Sequence, residues 1–197
     1  MDVLASLGRT LGFSFAAGIN LYATVAMLGL AAHFGWVDLP PQYHVFDNPW
    51  IIGTAIALYL VEFVADKIPW VDTVWDAVHT AIRPLGGALI AIATLGEATP
   101  AMKVMVGLLG ATLATSTHLS KAGTRALANA SPEPFTNWAL SFGEDVFVLG
   151  LGALALKYPA AAAIVVIVLV AVIATCATWI VRAIRRRFGG RSASVKT

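Results

Sequence analysis

The sequence predicts an all-helical protein embedded in a membrane, and composition and long apolar segments support this class. Of its 197 residues, 58% are hydrophobic and only 12% are charged. Soluble domains carry about 25% charged residues. The mean hydropathy is +0.79. So little polar surface cannot cover a globule in water, which argues against a soluble enzyme. The net charge of +2 is too small to favour nucleic-acid binding.

Two apolar segments are long enough to cross a membrane, which takes about 20 residues. Residues 159–181 carry no charge and are followed by a run of arginines. Residues 10–37 are also uncharged and exceed the length of one crossing. We interpret this segment as a single retained span. Gly18 and Asn20 interrupt it, which indicates a helix break or a closely packed face of small residues.

Four shorter apolar stretches lie between these spans, at 49–61, 84–96, 104–117 and 146–156. They form two central hairpins, with polar segments 62–83 and 118–145 between their arms. Two topologies fit. Either the helices continue into the polar segments and give about six crossings, or one or both hairpins re-enter without crossing. Short apolar segments in matching positions of two halves are typical of transporter sites.

Both topologies place residues 38–48, 97–103 and 157–158 on one side of the membrane and both termini on the other. With six crossings, eleven of the thirteen lysines and arginines lie on the side of the termini. Basic residues concentrate on the cytoplasmic side. Both termini are therefore expected to face the cytoplasm. We expect one transmembrane domain over 1–188 and a disordered tail over 189–197.

Residues 70–83 have the pattern of an amphipathic helix, with Pro69 and Pro84 marking its ends. Four polar residues form one stripe at helical spacing, namely Asp72, Asp76, His79 and Arg83. The stripe has two interpretations. The helix lies flat on the membrane with a solvated charged face, or the stripe lines a water-filled cavity within the bundle.

Glu62 and Asp66 lie one turn apart at the end of the second span. At 1.5 Å per residue, Glu62 is about 6 Å deeper than Asp66. Ionised side chains are costly in the hydrocarbon core and mark functional sites there by default. Glu62 is therefore the stronger candidate for a functional acid, and the alternative is an interfacial position.

The second polar segment supplies a basic face and then a polar stripe. The basic face is formed by His118, Lys121 and Arg125, and the stripe by Asn137, Ser141, Glu144 and Asp145. The apolar run behind Glu144 and Asp145 needs its polar start to span the membrane, so this pair is expected to be buried. The alternative is that these groups pair only to fix the register of the helices.

Three classes of function are consistent with these residues. In the favoured class, a small transporter, Glu62, Asp66, Glu144 and Asp145 bind a proton or cation. The basic face of the second segment then holds an anionic solute or lipid group, and the interruption at Asn20 borders the site. The alternatives are a structural membrane protein and a lipid-modifying enzyme. The sequence lacks a zinc, phosphate-loop or nucleophile-elbow motif, so no catalytic residue, metal or cofactor is expected. A homo-oligomer is consistent with so small a bundle, with Gly86, Gly87, Gly107 and Gly110 as close-packing points.

Several motifs resemble a known bacterial family of integral-membrane proteins. They are the run Ala17–Thr24 followed by Gly29, the acids Glu62, Asp66 and Asp72 around Pro69, and the turn Arg83-Pro84-x-Gly86-Gly87. The family is catalogued as domain of unknown function 4126, and the resemblance covers most of the chain to about residue 156. It implies a polytopic inner-membrane protein and supplies no activity, substrate or catalytic residue.

Overall fold

The computed structural model describes residues 3–130 and 135–189. In this part of the chain the secondary structure is helical, with one short 3₁₀ helix at Pro41–Val45. The α-helices are α1 (Val3–Ile19), α2 (Leu21–His33), α3 (Pro49–Ala65), α4 (Pro69–Leu95), α5 (Pro100–Asn129), α6 (Phe135–Lys157) and α7 (Pro159–Gly189). Three of them, α4, α6 and α7, are long and apolar enough to cross a membrane. The predicted helical membrane bundle is confirmed.

Local sequence signals set where the helices begin and end. Proline occupies the first position of α3, α4, α5 and α7, where its missing N–H costs nothing. Asn48 caps α3 by accepting hydrogen bonds from the backbone of Trp50 and Ile51. Gly96 ends α4 with a φ of +79°, which other residues rarely adopt.

The first two helices fold back on each other, and we call them the N-terminal hairpin (residues 3–33). Thr10 Oγ1 lies 3.0 Å from Thr94 Oγ1, near the end of α4. Eight residues later in α1, the Gly18 carbonyl oxygen lies 3.4 Å from Arg83 Nη1, in the middle of α4. α1 therefore runs antiparallel to α4, from the α4 C-terminal end of the bundle inwards.

The second arm of the hairpin returns to the end from which the first arm started. A Cβ built at Gly152 would lie 2.5 Å from Met27 Cε and 3.8 Å from Phe13 Cε1. Both side chains are seven residues from Asn20, so the two arms pass α6 at the same level. Further along α2, Gly29 packs against Ile52 in the first turn of α3.

This hairpin corrects the expectation that residues 10–37 are a single span. Asn20 has extended backbone, with φ −145° and ψ 99°, and its side chain caps α2 by accepting from the Ala23 N–H. The chain therefore stops one helix and starts another at a single residue, and reverses there. A break can reverse the chain inside a membrane only where neighbouring groups satisfy the freed backbone, and the charged side chains described below do so.

The topology of the termini is corrected as well. Gly8 in α1 packs against Pro159, the first residue of α7. Ile173 of α7 lines the same cavity as Thr124 of α5, so α7 runs to the opposite end of the bundle. The start of α1 and the end of α7 therefore lie at opposite ends of the bundle. Arg9, near the start of α1, is thus not on the same side as the arginines at the end of α7.

The polar segments continue as helix on both arms of each central hairpin, and whether these hairpins cross the membrane or re-enter it stays a prediction. α4 and α5 have 27 and 30 residues, or about 40 Å and 45 Å at 1.5 Å per residue. α4 passes through Pro84, which was expected to end a helix. Proline is tolerated within membrane helices where neighbouring groups satisfy the freed backbone.

The polar stripe of α4 faces the interior, which makes the flat interfacial helix wrong. Asp72 and Arg83 are 0% exposed, whereas Val74 and Val78 are 58% and 56% exposed. In a soluble protein the polar face of such a helix would be exposed and the apolar face buried, and here the two faces are exchanged. Polar and charged partners on other helices compensate the buried stripe, and the valines lie on the outer surface of the bundle.

Glycines bring α4 and α5 into backbone contact. A Cβ at Gly87 would lie 2.8 Å from the Gly110 carbonyl oxygen, and one at Gly110 would lie 2.5 Å from Gly87 O. Gly86 packs against Leu21, and Gly107 against Ile92. These glycines, which were considered for contacts between subunits, serve packing within the chain.

Two parts of the predicted arrangement fall on residues that the structure does not describe. Residues 131–134, within the second polar segment, lie outside the described residues. Of the expected tail, residue 189 ends α7, and 190–197 lie outside the described residues.

Candidate functional site

Eight charged or imidazole side chains from four helices meet at the tip of the N-terminal hairpin, and we call them the charged cluster. They are Glu62 from α3 and Asp66 at its C-terminal cap, Asp76 and Arg83 from α4, His118, Lys121 and Arg125 from α5, and Glu144 from α6. All but Glu144 are buried. Segments that are distant in sequence therefore share one ionic network.

Arg83 links α3, α4 and α5. Its Nη2 lies 2.6 Å from Glu62 Oε1, and its Nη1 lies 3.2 Å from Asp76 Oδ1. Nη1 also donates to His118 Nδ1 at 2.7 Å. A guanidinium can only donate, so His118 accepts at Nδ1 and carries its proton on Nε2, which lies 3.0 Å from Thr80 Oγ1. His118 is therefore held as the neutral imidazole.

Lys121 lies among three carboxylates from two helices. Its Nζ is 3.1 Å from Asp66 Oδ2, 3.4 Å from Glu62 Oε1 and 3.4 Å from Glu144 Oε2. The lysine side chain is only 2% exposed. Lys121 is thus the shared counter-ion of the cluster, and removing it would leave acids of α3 and α6 facing each other.

Arg125 holds α6 against the turn after α3. It binds Glu144 through Nε at 3.1 Å and Nη2 at 2.7 Å, and Nη2 also lies 3.1 Å from Asp66 Oδ2. Its Nη1 donates to Asn137 Oδ1 at 2.8 Å, and Asn137 donates in turn to the Asp66 carbonyl at 2.9 Å. Paired guanidinium donors are the strongest way to hold a carboxylate.

The tip of the N-terminal hairpin, at the end of α1, covers one side of the charged cluster. Three carbonyl oxygens at the end of α1 accept hydrogen bonds from side chains of α4 and α5. The Phe15 oxygen accepts from Thr117 Oγ1 at 3.1 Å. The Gly18 oxygen accepts from Arg83 Nη1 at 3.4 Å, and the Ile19 oxygen accepts from Lys121 Nζ at 3.2 Å. The C-terminal end of a helix carries a partial negative charge. Arg83 and Lys121 therefore satisfy two of the carbonyls, those of Gly18 and Ile19, that the break at Asn20 leaves without helical partners.

Two acids beside the cluster have an amide partner and form no ion pair with any described residue. Asn20 Nδ2 donates to Asp145 Oδ1 at 3.2 Å, and Asn129 Nδ2 donates to Asp72 Oδ2 at 2.7 Å. Asp72 Oδ1 is buried and has no hydrogen-bond partner among the residues described. With these two acids and the half-buried Lys67, the described side chains at and beside the charged cluster comprise six acids and four bases. Two more acids than bases therefore lie at this site.

The structure places the sequence-predicted residues together. Thirteen of the fourteen are buried, and the Glu144 side chain is 16% exposed. His79 and Ser141 lie at the margin: His79 Nε2 is 2.9 Å from Tyr22 Oη, and Ser141 Oγ accepts from Lys67 Nζ at 3.2 Å. Whether these residues bind a ligand stays a prediction. Among the residues described, no group of three or more histidine, cysteine or acidic side chains is arranged to hold a metal.

Sequence reasoning missed four residues of this site: Tyr22, Lys67, Thr80 and Asn129. Thr80 lies one turn after Asp76 and donates to the Asp76 carbonyl oxygen at 3.0 Å. Asn129 lies one turn after Arg125. Helical spacing from residues already identified could have found both. Tyr22 and Lys67 had no such signal, because the predicted site residues that they contact, His79 and Ser141, lie on other helices.

Two cavities flank the charged cluster. One, of about 390 Å³, lies between α5, α6, α7 and the end of α1, and includes Lys121 and Glu144; we call it the lateral cavity. The other, of about 210 Å³, lies between α4 and α5 and includes Asp72, Asp76 and Arg125. A larger cavity of about 670 Å³, between α2, α3 and α4, is lined by uncharged residues. The cluster thus separates two spaces that reach its charges from different sides.

The fold and the site define a helical membrane protein with a buried ionic site at the tip of an internal hairpin. The chain belongs to the family described as Domain of unknown function (DUF4126), which matches residues 7–179. The family resemblance inferred from the sequence motifs is therefore confirmed. Comparison with curated proteins and with solved structures found no match.

Proposed function

We propose that the protein is a small transporter of the bacterial inner membrane that moves an ion, a small anionic solute or a lipid past the charged cluster. One observation carries this proposal: three buried cations and their acids meet a broken helix between two cavities. Helix ends that face a charged site inside the bundle are the architecture by which many transporters hold substrates and coupling ions.

The energetics also favour a functional role for the charged cluster. Replacing a buried ion pair by apolar side chains is often neutral or stabilising. Stability alone therefore gives no reason to keep Arg83, Lys121 and Arg125 inside the bundle. Ionisable groups within membrane spans mark ion and substrate pathways by default. In this protein Lys121 lines the lateral cavity and Arg125 lines the cavity between α4 and α5.

Asp72 and Asp145 are the proposed positions of a coupling proton or small cation. Each is buried, bonded to an asparagine amide and without an ion pair among the described residues. An uncompensated buried carboxylate is costly, so a proton or cation would supply the missing charge. Asp145 lies beside the hairpin tip and Asp72 lies in the cavity between α4 and α5. A proton or cation could therefore be taken up at one of these positions and released at the other.

The same proposal sets the orientation of the chain in the membrane. Arg182, Arg185, Arg186 and Arg187 are exposed near the end of α7. Basic residues favour the cytoplasmic side, so the end of α7 is proposed to face the cytoplasm. The start of α1 then faces the other side, and the N-terminal hairpin enters and leaves the membrane on that side.

Flux measurements in proteoliposomes test the proposal. The panel comprises protons, sodium, potassium, small carboxylates, phosphate and a fluorescent anionic phospholipid. We expect at least one of them to move faster than in protein-free vesicles. The double variant Glu144→Gln, Asp145→Asn should slow that flux by about tenfold or more, because it removes one charge that neutralises Arg125 and the proposed coupling acid.

The matched control is Glu97→Gln, which neutralises an exposed acid in the loop between α4 and α5. This variant should leave the flux unchanged. No flux for any member of the panel, or full flux in the double variant, would reject the transporter proposal.

A further inference from the structure

The lateral cavity has a lining that changes character along its length. Its apolar part is lined by α1, α6 and α7, with Phe15 and Phe147 among the residues, and its polar part includes Ser120, Lys121, Thr124 and Glu144. Ser120, Thr124 and Gly143 are exposed. The cavity therefore opens on the outer face of the bundle, where α5 stands apart from α6 and α7.

Glu144 is the member of the charged cluster that reaches this cavity with part of its surface exposed, 16% of its side chain. It accepts hydrogen bonds from Arg125 Nε at 3.1 Å and Nη2 at 2.7 Å, and lies 3.4 Å from Lys121 Nζ. Carboxylates and phosphates bind such paired donors in the same way. The Glu144 carboxylate therefore occupies the position in which a ligand anion would meet both cations.

We propose that the lateral cavity binds an anionic phospholipid. Its phosphate would replace the Glu144 carboxylate on Lys121 and Arg125, and its hydrocarbon would lie against the apolar residues of α1, α6 and α7. The anion is argued from Glu144, a partly exposed carboxylate that contacts both Lys121 and Arg125 and that a phosphate can replace, and an opening between helices of a membrane protein argues for a ligand that the bilayer supplies. This inference rests on the proposed function and names its substrate class.

The size of the cavity suits such a ligand. Its volume of about 390 Å³ falls in the range of small-molecule sites, about 300–1,000 Å³. A headgroup and the first part of its chains would fill it, with the remainder of the chains in the surrounding bilayer. Displacement of Glu144 from Arg125 on binding, and its return on release, would let one site hold and then discharge the lipid.

Gly143 and Gly150 provide a matched pair of variants on α6. A Cβ built at either glycine meets nothing within 4 Å, and both are exposed. Gly143 lines the lateral cavity, whereas Gly150, seven residues later on the same helix face, does not. Gly143→Leu therefore fills the cavity, and Gly150→Leu makes the same change outside it.

The experiment is calorimetric titration of the full chain in detergent with dihexanoyl phosphatidic acid, dihexanoyl phosphatidylcholine and inorganic phosphate. We expect phosphatidic acid to bind about tenfold or more tightly than the other two. Gly143→Leu should weaken its binding by about tenfold or more, and Gly150→Leu should leave it unchanged. Glu144→Gln should tighten it, because the competing charge is gone, and slower release then accounts for the loss of flux.

Three outcomes would overturn the inference: equal binding of phosphatidylcholine, equal binding of inorganic phosphate, or unchanged binding in Gly143→Leu. Thermal unfolding of each variant in the same detergent confirms that the protein is folded. Binding of phosphatidic acid without flux of any solute would reject the transporter and retain the lipid site. Flux of another solute without phosphatidic acid binding would reject the lipid site and retain the transporter.

Discussion

Replacing Arg83 with glutamine is expected to lower the free energy of unfolding by about 3–5 kcal/mol, the usual cost of breaking a buried ion pair. The Arg83 side chain is 0% exposed and lies 2.6 Å from Glu62 Oε1, itself 0% exposed. In the variant Glu62 keeps Lys121 at 3.4 Å, but Asp76 loses its ion pair and the Gly18 carbonyl loses its donor. Equilibrium unfolding in mixed micelles measures the change.

The double variant Asp76→Asn, Arg83→Gln separates the structural role of Arg83 from its functional role. Removing both charges should restore most of the lost stability, because Glu62 keeps its ion pair with Lys121 and Asp76 is no longer left as an unpaired buried acid. Flux should stay low if the charges serve transport, and should return if they only hold helices together. Arg182→Gln, at an exposed arginine of α7, is the control. An Arg83→Gln variant as stable as this control would contradict the account.

Gly18→Leu should be the most damaging substitution in the N-terminal hairpin. A Cβ at this position would lie 2.8 Å from Ala114 Cα and would also collide with the Ala114 carbonyl oxygen and Thr117 Oγ1. Because two of these atoms belong to the α5 backbone, a side-chain movement cannot relieve the contact. Overpacking a tight contact costs about 1–3 kcal/mol and sometimes more. The hairpin tip should be displaced from the charged cluster.

Thermal unfolding and flux measure the effect of Gly18→Leu together. Both should fall, since the tip supplies carbonyl partners to Arg83 and Lys121. Gly53→Leu on α3 is the control, because Gly53 is exposed and its Cβ would meet nothing within 4 Å. Equal tolerance of the two substitutions would show that α1 does not pack on α5 as described.

The class of fold and the membership of the site could be predicted from the sequence. Helical spacing placed Asp72, Asp76, His79 and Arg83 on one face, and they do share one. Their burial could not be predicted, because a solvated stripe and a buried stripe have the same spacing. Only the partners on other helices decide between them, and these lie 12 to 65 residues away for Arg83 and Arg125.

The path of the chain was harder to predict than the site. The interruption at Asn20 was visible, but a single non-helical residue is compatible with a helix that continues or one that reverses. The length of an apolar stretch also underestimated the length of two helices. The apolar stretches of α4 and α5 are short because their remaining turns carry buried ion pairs, and those turns still form part of each helix.

Sided labelling of single cysteines tests the central claim that the N-terminal hairpin returns to its starting side with its tip at the charged cluster. Cys176, which is exposed, is replaced by serine, and cysteine is introduced at Leu4, Trp36 or Trp70, all exposed. A membrane-impermeant maleimide should label Leu4→Cys and Trp36→Cys from one side and Trp70→Cys from the other. Labelling of Leu4→Cys and Trp36→Cys from opposite sides would show that residues 10–37 cross the membrane once, and would contradict the account.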